Sequence, residues 1–291
     1  MKKIYSGLFA GIIALFIQTQ AIIAQDSLRV EGPKVFVYST MDGKELKAHV
    51  FRPVPAKSAG PLPTIVIFHG GGWAIGEPEW AYDRARHFAS LGMAAVAAQY
   101  RLSDQKSITP LEAMADARTV IRWMRKNAAM LNIDCSRIVA DGWSAGAHLA
   151  ASAAVFDDSV SHLAASASPN ALILVSPAVY LESDGWVKKL LGGRADGSSI
   201  SPASHVRKGL PPTLILEGSE DTVTPLKGVR LFCDRMKEAG NRCDLTVYPK
   251  VGHLFTPKGI PDDGWPQPDP VIQADAVKKA DEFLRSIGFI K

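Results

Sequence analysis

The chain has 291 residues, 47% hydrophobic, 21% charged and 8% aromatic, the proportions of an ordinary globular protein. These values exclude a disordered chain, a collagen-like repeat, a coiled coil and a multi-pass membrane protein. The 33 Lys and Arg against 29 Asp and Glu leave a formal charge of +4, and no basic run forms a nucleic-acid footprint.

Lys2 and Lys3 precede an uncharged apolar stretch over residues 8–17, and small residues follow at Ala21 and Ala24. The pattern predicts a secretory signal peptide over residues 1–24, because the apolar core is short for a bilayer-spanning helix. Residues 25–291 then form one exported domain, with no stable membrane insertion after cleavage.

Residues 35–39 and 46–52 alternate around the turn signal Asp42-Gly43, which predicts an opening hairpin. The run 64–69 (TIVIFH) is continuous and β-branched, as in a strand buried on both faces. A helix over 80–91 and a buried strand over 94–100 follow. Residues 111–129 carry Met114, Ala117, Ile121 and Met124 at three- and four-residue spacing, an amphipathic helix. A strand at 137–140 leads into a small-residue helix at 145–155. Strands at 171–176, 213–217 and 245–248, with helices at 226–239 and 271–287, complete the pattern. The alternation implies an α/β class with a mostly parallel central sheet flanked by helices, in one domain. Residues 181–210 leave room for a small lid only.

The chemistry-bearing motifs lie just after predicted strands, where open α/β sheets place their ligands. Gly142-Trp143-Ser144-Ala145-Gly146 joins a strand to a helix, the setting of a nucleophile elbow. His69-Gly70-Gly71-Gly72-Trp73 follows the TIVIF run, and its bare backbone N–H groups suit a developing oxyanion. It lacks the Gly-Lys-Ser/Thr ending of a phosphate loop. His69 precedes the glycines and is read as structural rather than as a base. Further on, Glu217-Gly218-Ser219-Glu220-Asp221 and Val251-Gly252-His253-Leu254-Phe255 each follow a strand. A serine hydroxyl attacks well only when an imidazole accepts its proton and a carboxylate holds that imidazole. The chain order Ser144, Asp221, His253 is the order this architecture uses, with Glu220 as the alternative acid.

HGGGW, GWSAGAHLAA, EGSEDTVTP and VGHLF in this order resemble the α/β-hydrolase superfamily. More narrowly, the chain resembles the bacterial esterase/lipase branch related to hormone-sensitive lipase and to feruloyl and acetyl-xylan esterases, over about residues 34–290. The resemblance implies Ser144 as nucleophile, His253 as base, Asp221 as acid, and backbone N–H groups of Gly71, Gly72 and Ala145 as the oxyanion hole. It implies no metal and no organic cofactor. Hormone-sensitive-lipase relatives usually carry an N-terminal helical cap, for which there is little sequence here.

Trp73, Trp143, Trp186 and Trp265 fall in or beside these loops and are candidate substrate-binding residues. With export and a thin lid, they favour a small-molecule or polysaccharide ester, its acyl group short or aromatic, over a long-chain lipid. The alternatives are a lipase-like esterase, an amide or formamide hydrolase on the same triad, and an inactive binding module. The three cysteines lack CxxC spacing. Cys233 and Cys243 sit across a short helix–strand connection, which favours a disulfide in an oxidising compartment. Related esterases carry a similar pair. Two unpaired buried cysteines are the alternative, and Cys135 is read as a free thiol.

Overall fold

The structure is a computed structural model that describes residues 29–41, 43–54, 60–104, 106–156, 165–261 and 264–291. The expected signal peptide, Asp42 of the hairpin turn and His162 lie outside the described residues. Strands β1 (Arg29–Met41) and β2 (Lys44–Val54) form the opening hairpin. β3 (Leu62–Phe68), β4 (Ala94–Ala98), β5 (Ile133–Trp143), β6 (Ala171–Val175), β7 (Thr213–Gly218) and β8 (Cys243–Tyr248) complete an eight-stranded sheet. Its spatial order is β1-β2-β4-β3-β5-β6-β7-β8, antiparallel at the β1–β2–β4 edge and parallel from β4 to β8.

The helices are α1 (Tyr82–Ser90), α2 (Pro110–Lys126), α3 (Ala128–Leu131), α4 (Ala145–Val155), α5 (Gly185–Leu191), α6 (Leu226–Glu238) and α7 (Pro270–Ser286). Every residue of β3 is buried. Its Leu62, Val66 and Phe68 face the core made with α2, α4 and α6, while Ile65 and Ile67 face the core made with α1 and α7. That two-sided burial explains the unbroken apolar run, since a strand covered on both faces has no polar side. α4 is buried along its whole length, and its Ala, Gly and Ser content lets it lie close against the sheet.

Several elements differ at their ends from the sequence expectation. The helix expected at 80–91 opens as a 3₁₀ turn, Pro78–Ala81, before α1. The helix expected at 111–129 is shorter, because Asn127 breaks it before the single turn of α3. Its start is fixed by Thr109 and Glu112: the Thr109 hydroxyl accepts from Leu111 N–H, and Glu112 accepts from Thr109 N–H. β5 is longer than expected because polar Asp134, Ser136 and Arg137 mask its first half.

The segment 181–210, expected as a small lid, lines a cavity with Leu181, Ser183, Asp184 and Gly185 while its apolar residues are anchored beneath. It packs Leu181, Val187, Leu190, Leu191, Ile200 and Ala203 into the main core. Arg194 Nη2 donates to Glu112 Oε1 at 2.7 Å, tying the segment to α2.

Candidate active site

Parallel strands deliver their carboxyl ends to one edge of the sheet, so the loops after β3, β5, β7 and β8 meet there. Ser144 follows β5 directly, with φ 55° and ψ −122°, a left-handed and strained conformation for a residue with a Cβ. The turn exists because its flanking residues are glycines. A Cβ on Gly142 would sit 2.5 Å from the Gly146 carbonyl carbon, and one on Gly146 would overlap the Phe68 carbonyl oxygen. Ser144 N–H donates to Val175 O at 2.9 Å, anchoring the elbow to β6. Behind it, buried Asp141 of β5 accepts both branches of the Arg84 guanidinium, Nη2 at 2.6 Å.

His253 follows β8 in a 3₁₀ turn, His253–Phe255. Its Nε2 lies 2.9 Å from Ser144 Oγ and its Nδ1 lies 2.8 Å from Asp221 Oδ2. A carboxylate only accepts, so Nδ1 carries the proton and Nε2 is left to receive the serine hydroxyl proton. The structure thus brings Ser144, His253 and Asp221 together. Glu220 is exposed and pairs with Lys258 at 3.2 Å, which removes it as the acid.

Asp221 is nearly enclosed. Oδ1 accepts from Val223 N–H at 2.9 Å and Thr224 N–H at 2.6 Å, and Oδ2 also accepts from Thr224 Oγ1 at 2.9 Å. Burial works to raise its carboxyl, but hydrogen bonding and charge from His253, together with the Thr224 amide, bring it below the usual range. Thr224 and Ser176 are site residues that the motif reading passed over. Thr224 Oγ1 reaches Ser176 O at 3.1 Å, and Ser176 Oγ accepts from Leu254 N–H at 3.1 Å. These bonds lace the loops after β6, β7 and β8 together. The available signal was a threonine three residues after the acid, a spacing suited to a side-chain-capped turn.

Gly71 and Gly72 have φ 113° and 57°. The Gly71 carbonyl accepts from Ala74 and Ile75 N–H, and the Gly72 carbonyl accepts from Trp186 Nε1 at 3.0 Å. In a trans peptide the N–H opposes the C=O, so anchoring the Gly71 carbonyl aims the Gly72 N–H the other way. Ala145 is the first residue of α4, where an N–H has no intrahelical acceptor. His69 is buried and donates from Nδ1 to Gly70 O at 2.6 Å, a structural placement away from the triad.

The four tryptophans separate. Trp73 is a correction: it is 3% exposed, and its Nε1 donates to buried His148 Nδ1 at 3.2 Å, so it supports the loop from beneath. Trp143 is half-buried and packs against Gly70. Trp186 is 41% exposed and bonds the Gly72 carbonyl of the glycine loop. Trp265 is 71% exposed and meets Trp80 edge to face at 5.6 Å.

Cys135, Cys233 and Cys243 are free thiols, so the expected disulfide is not formed in the structure. Cys233 and Cys243 are nonetheless buried neighbours, with Cys233 Sγ 3.5 Å from Cys243 O.

The BD-FAE family model matches residues 53–236. Esterase 2 of Thermogutta terrifontis, in a structure phosphoramylated by tabun, superposes with a TM-score of 0.78 at 36% identity, covering 88% of this chain and 95% of that one. Endo-1,4-beta-xylanase B of Butyrivibrio fibrisolvens is 29% identical over 206 residues, 66% of this chain and 32% of that protein. Esterase LipQ of Mycobacterium tuberculosis is 26% identical over 235 residues, 73% of this chain and 55% of that protein. The chain therefore spans from about a third to just over half of these curated relatives. With the sheet order and the elbow, these matches place it: the chain belongs to the BD-FAE family, carboxylic ester hydrolases of the α/β-hydrolase fold.

Proposed function

We propose that this protein is an exported serine esterase that removes short acyl or aryl groups from carbohydrate esters through an acyl-enzyme. The observation that carries the reading is the Ser144–His253–Asp221 chain, with contacts of 2.9 and 2.8 Å. Ser144 Oγ attacks the ester carbonyl as its proton passes to His253 Nε2. The backbone N–H groups of Gly71, Gly72 and Ala145 receive the oxyanion. The C–O bond to the alcohol then breaks, and His253 returns the proton to the leaving oxygen. Water repeats the sequence, releasing the acid and restoring Ser144.

Three further points support the substrate class. A cavity of about 1000 Å³ opens beside the acid loop, and its walls include Ala178 and Thr224, which touch Ser144 and Asp221. It offers room for a bulky polar alcohol. The Thermogutta esterase has been solved with propionate and with butyrate bound, and a relative is named a xylanase. Export rests on the Lys2-Lys3 start and apolar run of the first 24 residues.

The test is hydrolysis of acetylated xylan, feruloyl esters and p-nitrophenyl acetate by the purified protein and by Ser144→Ala. The parent enzyme is expected to turn over all small esters and at least one carbohydrate ester. Ser144→Ala is expected to fold and to lose several orders of magnitude in kcat, as triad deletions do. Near-parental turnover by that variant would falsify the nucleophile assignment. Activity on p-nitrophenyl acetate without any on carbohydrate esters would remove the substrate class alone.

A further inference from the structure

Trp80 and Trp265 present ring surface that neither the core nor the triad uses. Trp80 lies in the 3₁₀ turn Pro78–Ala81 and is 38% exposed, and Trp265 is 71% exposed. Their rings meet edge to face, with centroids 5.6 Å apart and planes at 68°. Trp80 also packs on His69, whose ring lies 5.7 Å away and is itself stacked on Tyr100 at 4.4 Å. The pair joins the catalytic edge of the sheet on both sides. On one side His69 Nδ1 donates to Gly70 O at 2.6 Å, where the glycine loop begins. On the other, the segment that bears Trp265 is tied to the turn of His253. Gln267 N–H donates to Thr256 Oγ1 at 3.1 Å, and Asp269 N–H donates to Phe255 O at 2.9 Å. The two rings therefore span from the loop after β3 to the loop after β8.

A single exposed apolar side chain needs no explanation, but two adjoining indoles beside a cleft mark a binding surface. Trp80 is already held by its packing, so little conformational freedom is lost when a ligand covers it. The chemistry of the rim selects the ligand. Neither indole N–H meets an acceptor among the described residues, so both are available as donors. The turn of Trp80 carries exposed Glu77 and Glu79, and Gln267 is exposed two residues after Trp265. Two carboxylates disfavour an anionic ligand. So polar a rim also disfavours a long acyl chain, whose methylenes need continuous apolar cover. A pyranose suits both features. Its C–H groups lie against an aromatic face, while the hydroxyls at its edge accept from indole N–H and donate to carboxylate and amide oxygens. We propose that Trp80 and Trp265 form a carbohydrate subsite beside the catalytic cleft, seating a sugar unit of the polysaccharide away from the ester being cleaved. The subsite is separate from the cavity at the acid loop, whose walls share no residue with it. The inference rests on the carbohydrate-ester reading of the active site and adds the path of the sugar chain.

Contacts remote from the reacting bond hold substrate and transition state alike, so they set affinity rather than turnover. The test therefore measures binding, with the full chain as Ser144→Ala so that the ester is not consumed. The protein is run in affinity electrophoresis through gels containing acetylated xylan or the same xylan deacetylated. Retardation by both is expected, because the subsite reads the sugar and not the acyl group. Adding Trp265→Ala is expected to weaken binding about tenfold, and adding Trp265→Phe, which keeps a ring face, by less. Truncation of so exposed a ring leaves the core intact, and circular dichroism follows the fold. Ser144→Ala running unretarded in both gels would overturn the proposal, as would equal retardation with and without Trp265. A dimer that Trp265→Ala dissociates in size-exclusion chromatography would overturn it too, since the rings would then be a contact between two copies. Retention on xylan without release of its acetyl groups by the parent enzyme would remove the carbohydrate-ester reading and leave the subsite. Release of acetyl groups without retention would remove the subsite alone.

Discussion

Trp186 Nε1 donates to the carbonyl oxygen of Gly72 at 3.0 Å, joining α5 to the glycine loop proposed to supply the oxyanion donors. The contact crosses 114 residues of sequence. A Cβ on Gly72 would sit 3.0 Å from the same indole nitrogen, so the loop and the ring are fitted to each other. Trp186 thus helps to hold the backbone of Gly72 in place.

Trp186→Phe keeps the aromatic bulk and loses the donor. Because the oxyanion forms only on the way to product, kcat should fall about tenfold with KM nearly unchanged. Steady-state kinetics on p-nitrophenyl butyrate separates the two constants. A rise in KM at constant kcat would make Trp186 a substrate contact instead.

Acyl-chain length provides a second check. The segment 181–210 is short and anchored in the core, with Leu181, Ser183, Asp184 and Gly185 at the cavity wall. Activity on p-nitrophenyl esters should drop steeply beyond about eight carbons, since so short a segment covers few added methylenes, each worth about 0.8 kcal/mol when buried. Preference for long-chain triglycerides would contradict the carbohydrate reading.

His148 makes stability depend on pH. Burial pushes its imidazole down to about 4, and the neutral ring accepts from Trp73 Nε1 while donating from Nε2 to Ile200 O at 2.8 Å. Its folded value lies below the unfolded one, so the unfolded chain binds the proton more readily between about pH 6.5 and 4. Stability should fall by on the order of 3 kcal/mol as pH drops through that window, then level off for this group. His49 and His69 are lowered by burial too and act with the same sign. Urea unfolding of the parent and of His148→Gln isolates the contribution. The variant is less stable overall, and its pH slope should be flatter; an equal slope would exclude His148 as the source.

Arg84→Met leaves Asp141 buried without its guanidinium. Removing one partner of a buried pair costs about 3 kcal/mol or more, here directly behind the elbow. Thermal unfolding should shift down by roughly 6–12 °C. A shift under about 2 °C would mean that the carboxyl finds another donor or takes up a proton.

The thiol pair remains a proposal. Cys233 and Cys243 are buried neighbours, whereas Cys135 is half-buried on β5 and apart from them. After air oxidation, denaturation without reductant should expose one titratable thiol, that of Cys135. Three titratable thiols would show that the pair stays reduced.

The sequence alone determined most of the frame. Continuous β-branched runs report strands buried on both faces, as in β3, and glycines at positions 142 and 146 report a backbone approach too close for any side chain. Both are local consequences of packing, so they leave local marks. Residue type at one position says less about reach. Trp73 and Trp186 look alike in sequence, yet one is buried beneath the glycine loop and the other crosses to it from a helix over a hundred residues away. The sequence favoured Asp221 over Glu220, and tertiary geometry decides between them, because the turn after β7 points one carboxyl at His253 and the other at Lys258 and solvent.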